Sequence, residues 1–599
     1  MTYSVHISHV QAIVSGIVSL KEQHFSEAIT PANKVLFQTE YCIILAQGEI
    51  SGIKSHPTHD AFALLVGRIY TRGFSMKALA SETIDDAASI PVILKDLEGS
   101  FNFIQYSSKD ENVRFFIATD RFGSRRMLYT VRNEKLYFST HLSGLSRLLP
   151  EGSFCVSQRA LLHYYNFGFT PNDETLIAGI NKVAPGSCLE FSHNGMSVNS
   201  YTGLGELFRP EEYASRSIED VSLMLDDITC RAVQAHCDHN ETVGCLLSGG
   251  VDSGYLACIL RDIGAEVHAY NIAYGNAYNE YDRVDCLASH LGISVRKIKL
   301  LPNQIIENFL YSNSICSEPV GFNNATIRLA TAEASMDGVA CLFDGDGVDR
   351  LFLGMTRFTT LRRAIQIHKQ LNCLGMARIF GLIAQWLPWP DTQKLSRHFL
   401  NWNASIPPYI ERKLNLSEPY NLDYERKIFQ MAIRPIWDEF CREFPDSIRC
   451  SELFLTFQGI KMCPEMFFCD PNELESNLGI FRAAGYWTKA LVSLALSIPT
   501  EWKLRRTTTK YILRLAAGHR FDPTYWMLPK IGLQDSYRFS IQSKEGEAWR
   551  DQMRKEICDS YEYSVLSSII PAGQVELDRL VGIIVWRKQN ASARRLIRT

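Results

Sequence analysis

Ser248-Gly249-Gly250-Val251-Asp252-Ser253 follows the short apolar run Val243–Leu247 and precedes a helical stretch that reaches about Arg261. A small, glycine-rich turn between a buried-type strand and a helix lets backbone N–H groups approach an anion closely, and the helix N-terminus adds its positive end. Phosphate binding follows from that geometry. Asp252 adds a carboxylate able to hold Mg²⁺, and Ser248 and Ser253 add hydroxyl donors. A Gly-Gly turn alone serves any tight βα connection; the six-residue string from Ser248 in this setting carries the phosphate reading.

Outward from this loop the alternation of strand and helix continues. A strand is predicted over Val267–Ala273, a helix over Tyr281–Leu291 closed by Gly292, and strands over Val295–Leu300 and Ala340–Phe343. Strands alternating with helices imply a parallel sheet with ligands at its carboxyl edge. From about Met355 to the end the pattern reads as chiefly helical. Toward the N-terminus, Tyr41–Ala46, Phe101–Gln105, Arg114–Thr119 and Leu136–Ser139 read as short strands bounded by turn residues, a mostly β, sandwich-like unit. The polar stretch from Gly203 to Ser217, with Arg209-Pro210-Glu211-Glu212, reads as a linker. The expected domains are 1–205 and 218–599.

Composition narrows the function. The 599 residues are 46% hydrophobic and 21% charged, the make-up of globular chains with real cores. Lys and Arg total 62 against 65 Asp and Glu, so no global basic field points to nucleic acid. The absence of a long apolar run or a signal-peptide layout predicts a cytoplasmic protein with no membrane partner. Sixteen cysteines without a CxxC pair, the nearest spacings being Cys463/Cys469 and Cys230/Cys237, read as reduced, mostly buried thiols.

The Ser248–Ser253 string resembles the pyrophosphate loop of the N-type ATP pyrophosphatases, and the likeness extends along most of the chain. Asp344-Gly345-Asp346-Gly347-Val348-Asp349-Arg350-Leu351-Phe352-Leu353-Gly354 is similar to the second synthetase motif of the asparagine synthetase superfamily, and Lys510-Tyr-Ile-Leu-Arg514 and Leu528-Pro-Lys530 to its two C-terminal basic motifs. Leu494-Ala-Leu-Ser-Ile-Pro-Thr-Glu-Trp-Lys503 shares that character. Asp120-Arg-Phe-Gly-Ser-Arg-Arg-Met-Leu-Tyr129 and Val183-Ala-Pro-Gly-Ser187 resemble the glutaminase-like domain that precedes the synthetase domain. The resemblance implies an α+β, Ntn-type β-sandwich followed by an α/β synthetase domain of the adenine-nucleotide α-hydrolase kind, with a parallel sheet and a helical C-terminal part.

It also implies residue roles. ATP and Mg²⁺ are the expected cofactors, with Asp252 and Asp349 bridging the metal to the phosphates. Leu247, Ile272 and Gly345 would present backbone groups to adenine and ribose, with Ser248, Gly249, Gly250, Ser253 and Asp344 completing the nucleotide site. Lys530 would stabilise the intermediate. Arg514 would assist the phosphates or pair with a carboxylate. Asp346 stands where asparagine synthetases have glutamate and β-lactam synthetases tyrosine, placed to orient or deprotonate the attacking amine.

A working glutaminase of this type needs a cysteine directly after Met1, and here that residue is Thr2. A threonine there can act as an N-terminal nucleophile in other folds. The first cysteine is Cys42, no arginine precedes Arg68, and Ala46-Gln47-Gly48-Glu49-Ile50-Ser51 resembles the oxyanion segment with Gln47 in place of the usual asparagine. The expectation is a retained fold that has lost its glutaminase, so that the nucleophile is an amine within the substrate. That points to ring-closing members of the superfamily, and foremost to lasso-peptide macrolactam synthetases acting on a precursor peptide, with a leader peptidase or leader-binding protein as partner. An ammonia-dependent asparagine synthetase, a β-lactam-type synthetase and a nucleotide-binding scaffold are the alternatives. The basic insert 362–413, with Trp386, Trp389 and Trp402, suits a peptide or partner docking face and equally an ordinary solvated helical face. The basic tail beyond Asp578 has the composition of a disordered terminus.

Overall fold

The computed structural model describes residues 13–19, 34–47, 61–71, 89–109, 112–150, 154–171, 173–237, 242–274, 281–355, 358–359, 362–363, 366, 370, 431, 433–445, 451–462, 468–475, 478–528, 536–570, 577–594 and 597–598. The described residues of its N-terminal half hold twelve strands: β1 (Ile13–Ser19), β2 (Lys34–Gln38), β3 (Cys42–Gln47), β4 (Ala61–Ile69), β5 (Gly99–Lys109), β6 (Asn112–Thr119), β7 (Leu128–Arg132), β8 (Lys135–Ser139), β9 (Phe154–Cys155), β10 (Asn181–Lys182), β11 (Ser187–Ser192) and β12 (Gly195–Ser200). Eleven of them, all but β9, form a six-stranded sheet in the order β10-β7-β8-β1-β3-β2 and a five-stranded sheet in the order β12-β11-β6-β5-β4, both antiparallel throughout.

The period-2 alternation of each strand decides what it covers. In β5, Ile104 and Tyr106 point into the core shared by the two sheets, together with Val14, Val18 and Ile44. Phe101 and Phe103 point outward, against Ile90 and Leu94 of the helix Ser89–Asp96. On the other sheet Ile17, Ile43 and Leu45 face outward and Leu148 of the helix Leu142–Leu148 packs on them. Both sheets are therefore covered on both faces, giving helix, sheet, sheet and helix in layers.

The second half is built on a parallel sheet of β13 (Val243–Leu246), β14 (Val267–Tyr274), β15 (Val295–Leu300), β16 (Cys341–Phe343) and β17 (Phe481–Ala483), in the order β15-β14-β13-β16-β17. The strands and helices expected from the alternation lie within a residue or so of the observed ones, and the helix Tyr281–Leu291 coincides. The described residues beyond Met355 are chiefly helical, as expected, with two short strands added to them. Phe481–Ala483 adds a fifth strand, and Ile597–Arg598 forms β18, which pairs in parallel with β9 of the N-terminal half. The basic tail is ordered as far as the described residues show. Its helix Val581–Arg594 buries Trp586, whose indole N–H donates to the Cys316 carbonyl at 3.0 Å.

The stretch read as a linker is tied down. The Gly205 N–H donates to Glu443 at 2.6 Å and the Arg209 N–H to Ser497 Oγ at 2.7 Å. Between the two halves, Arg126 pairs with Asp470 and Glu473, each at 2.8 Å, with only 1% of its side chain exposed. One continuous apolar cluster runs from Leu145 and Phe154 to Leu256, Phe343 and Trp586, so the halves share a core. No helix of the described residues is long and apolar enough to cross a membrane. The described cysteines are free thiols.

Candidate active site

From β13 the chain crosses to β14 and β15 on one side, then returns to β16 on the other. The strand order reverses between β13 and β16, and the loops leaving a sheet diverge at such a point to open a crevice. Leu247–Gly250 leaves β13 there and Asp344–Gly347 leaves β16. The phosphate-type turn of the sequence thus stands beside the second aspartate-rich motif.

The first loop is fixed by its own atoms. The Leu247 N–H donates to the Tyr270 carbonyl at 2.8 Å, and its carbonyl accepts from Asn271 at 2.7 Å. The Ser248 N–H donates to Ser253 Oγ at 3.0 Å. Gly249 adopts φ +69°, a left-handed turn that favours glycine. Gly250 then opens the helix Val251–Asp262 without a side-chain cap, leaving the first helical N–H groups to an incoming anion. Tyr525 donates to the Gly249 carbonyl at 3.1 Å and Tyr486 to the Asp252 carbonyl at 2.7 Å, so two later segments brace the loop.

The second loop lies against the first. A Cβ on Gly345 would come within 2.5 Å of Asp252 Cβ, so only glycine permits this approach. Gly354, at the end of the motif, leaves the space taken by Lys510 and the Asp349 carboxylate. Lys510 Nζ contacts both oxygens of Asp252, at 2.6 and 2.5 Å, and also pairs with Asp349. The two carboxylates assigned to the metal from sequence are therefore brought to a single cationic centre.

A second charge centre is one the sequence reading missed. Arg482, in the middle of β17, pairs with Asp344, with Asp346 at 2.9 Å and with Glu475 at 3.0 Å. Thr331 also donates to Glu475, at 3.0 Å. Burial alone would weaken the guanidinium, but Asp344, Glu475 and Asp346 hold its proton far above the usual arginine range. Asp346 keeps 30% of its side chain open and can be reached, yet burial and the neighbouring charge of Asp344 push its carboxyl up to about 7 against the pull of Arg482. Burial also raises Glu475. The only sequence signal for Arg482 is a short apolar run, Ile480-Phe-Arg-Ala-Ala484, between Gly479 and Gly485.

In these contacts five carboxylates, Asp252, Asp344, Asp346, Asp349 and Glu475, share two cations, Lys510 and Arg482. Among the described residues no group of three or more His, Cys, Asp or Glu could hold a metal by itself. Mg²⁺ is ordinarily held by one or two carboxylates plus substrate phosphates, and a pair such as Asp252 and Asp349 beside an uncapped helix start fits that donor set.

Of the remaining candidates, Ile272 lies in β14, paired with Ile298, and its side chain packs in the small cluster of Leu300, Ile305 and Phe539. Arg514 directs its guanidinium to backbone, donating to the carbonyls of Thr509 at 2.9 Å, Leu528 at 3.3 Å and Trp526. It thereby braces the chain leading toward Lys530. Lys530 itself, Thr2, Gly48–Ser51 and most of the 362–413 insert lie outside the described residues. Arg362, at the start of that insert, pairs with Glu452 at 3.2 Å. Cys42 is wholly buried in β3, and burial drives its thiol well above the usual range, unsuited to attack.

Comparison with known proteins agrees with this geometry. The asparagine synthase family profile matches residues 224–562, and the glutamine amidotransferase domain profile matches residues 90–202. Asparagine synthetase [glutamine-hydrolyzing] 1 of Bacillus subtilis (strain 168) is 24% identical over 476 residues, 78% of this chain and 72% of its own. Amidase chry2 of Gibberella zeae is 24% identical over 285 residues, 44% of this chain and 41% of its own. The microcin J25-processing protein McjC of Escherichia coli is 20% identical over 214 residues, 36% of this chain and 38% of its own. The first profile spans more than half of the chain and includes both crevice loops, Arg482 and Lys510. The chain belongs to the asparagine synthase family, and it is an ATP-dependent carbon–nitrogen ligase.

Proposed function

We propose that this ligase closes a macrolactam ring in a precursor peptide, joining the peptide's N-terminal amine to one of its own side-chain carboxylates, as in lasso-peptide synthesis. In the first step a carboxylate oxygen attacks the α-phosphorus of ATP and pyrophosphate leaves. The amine nitrogen then attacks the activated carbonyl carbon, forming the amide and releasing AMP. The observation that carries this reading is Asp346. It is reachable, held by Arg482 and shifted to about 7, so near neutral pH it can accept the proton an amine must lose.

The other residues divide the remaining work. The uncapped helix start after Gly250, with Gly249 and Ser248, receives phosphate oxygens. Leu247, Ile272, Asp344 and Gly345 form the nucleotide side of the crevice. Mg²⁺ would be held by Asp252 and Asp349 and would supply neutralising charge where pyrophosphate departs. Lys530 stabilises the charge on the reacting carbonyl, and Arg514 positions the segment that carries it.

Support for an internal amine comes from the N-terminal half, where Cys42 is buried and unsuited to glutamine hydrolysis. A relative named for processing microcin J25 supports a peptide substrate. The breadth of the match to the Bacillus subtilis enzyme favours a second reading, synthesis of asparagine. The test is incubation of the protein with ATP and a leader-free core peptide, analysed by mass spectrometry. A product lighter by one water, accompanied by AMP and pyrophosphate, is expected. Asparagine formed from aspartate and ammonia, with no dehydrated peptide, would establish the second reading; release of ADP and phosphate would exclude both.

A further inference from the structure

Lys510 is placed in a way an ordinary phosphate-binding lysine does not require. It precedes the helix Tyr511–Gly518 at φ +54°, in the left-handed region that a residue with a Cβ occupies only at a cost. Only 1% of its side chain is exposed, and its ammonium is enclosed between Asp252 from one loop and Asp349 from the other. The loops are pressed together so closely that Gly345 tolerates no Cβ against Asp252, and Gly354 tolerates none against the lysine. Two carboxylates converging at this distance repel each other unless a cation lies between them. An ammonium is a compact, hard point charge with three donors, the nearest side-chain equivalent of an oxygen-ligated metal ion.

We propose that Lys510 is a built-in counter-ion that holds the metal position between the two loops while the nucleotide is absent, and is displaced when metal and nucleotide bind. The proposal rests on the reading that Asp252 and Asp349 are the metal carboxylates. An ammonium and a divalent cation cannot both occupy the gap, because like charges at contact distance repel strongly in a partly dry site. The flexible four-carbon stem lets Nζ withdraw, and the triphosphate offers it a new anionic partner. Metal alone must therefore compete with the lysine, whereas metal and nucleotide together do not. The two ligands are coupled through Lys510 with a reciprocal effect on each other's affinity.

The experiment measures Mn²⁺ binding by the loss of its free paramagnetic signal, with and without a non-hydrolysable ATP analogue, together with thermal unfolding of the metal-free protein. Lys510→Met should bind Mn²⁺ alone about tenfold or more tightly than wild type, the effect of removing one like charge at contact distance. Its metal-free form should unfold at a lower temperature and recover on adding Mn²⁺. In wild type the nucleotide analogue should strengthen Mn²⁺ binding far more than in the variant. If Lys510→Met fails to fold, Lys510→Gln keeps a donor without the charge and should show the same tightening. Equal affinity for Mn²⁺ alone in wild type and in the variant that folds would overturn the proposal. Asp252→Asn separates the two levels. If it leaves Mn²⁺ binding with nucleotide intact, the metal assignment has failed; if it abolishes that binding, the metal assignment stands and the Lys510 variants alone decide the counter-ion role.

Discussion

Asp120 in the N-terminal sandwich and Asp346 in the synthetase crevice both carry carboxyls pushed upward, to about 6 and about 7, yet they are held in opposite ways. Asp120 accepts the backbone N–H groups of Phe101 at 3.2 Å, Phe122 at 3.0 Å and Ser124 at 3.0 Å, and the Ser124 hydroxyl at 2.6 Å. Those partners are neutral and lie within twenty residues, so the carboxylate organises its own turn. Asp346 depends on Arg482, a cation that arrives on a strand 136 residues later and is shared with Asp344 and Glu475. A carboxylate satisfied locally is architecture. One that leans on a shared, distant cation beside surplus negative charge is a candidate for function.

That contrast is sharpened first by removing the two carboxylates proposed to hold the metal. Asp252→Asn and Asp349→Asn should each lower turnover by roughly a thousandfold or more, because charge at the departing pyrophosphate is left uncompensated. AMP release in a coupled assay measures this, and near-normal turnover in either variant would refute the assignment. Next comes Arg482→Met, which leaves Asp344, Asp346 and Glu475 without their shared partner. Breaking a buried pair from one side costs about 3–5 kcal/mol, read as a lower denaturant midpoint. A midpoint unchanged from wild type would mean that the three carboxylates do not depend on it.

Asp346→Asn should fold normally and lower kcat/KM by about a hundredfold, the usual worth of a positioned base. In wild type kcat/KM should rise with pH through about 7 as Asp346 ionises, and the Asn variant should lose that limb of the profile. A limb that persists in the variant belongs to another group. The smallest effect belongs to Asp120→Asn, which turns an amide donor toward backbone N–H groups and should cost roughly 1–3 kcal/mol of stability without touching the chemistry. The folded Asp120 holds its proton more tightly than the unfolded chain, so its titration favours the fold below pH 3.8 and that contribution is lost as pH rises through about 6. The stability difference between wild type and variant, followed by urea unfolding across that range, should carry this slope.

The broad plan is legible because each half repeats one local rule. Period-2 runs such as Phe101–Gln105 mark a sandwich strand wherever they occur, and the Ser248–Ser253 turn declares its geometry because strand, glycines and helix start lie in one continuous stretch. Asp252 stands out in the same stretch, in the first turn of the helix after Gly250, whereas Asp349, in the first turn of the helix after Gly347, is singled out only by the resemblance of its motif to a known family. Polarity misleads at the linker and the tail, because it predicts exposure only when nothing packs on the segment. Here Glu443 and Ser497 hold the first, while Cys316 and β9 receive the second.

What the sequence determined by itself, then, is the pair of loops and the strands that present them, since backbone geometry and glycine placement are local properties. The tertiary structure alone decided the charges that meet there. Phe481–Ala483 is too short to display a period, yet parallel pairing with Cys341–Phe343 sets Arg482 beside Asp344 and Asp346. Lys510 stands 258 residues from Asp252, and no spacing along the chain foretells their contact. A parallel sheet gathers the carboxyl ends of strands distant in sequence along one edge, so which cation answers which carboxylate is fixed only when the edge is assembled.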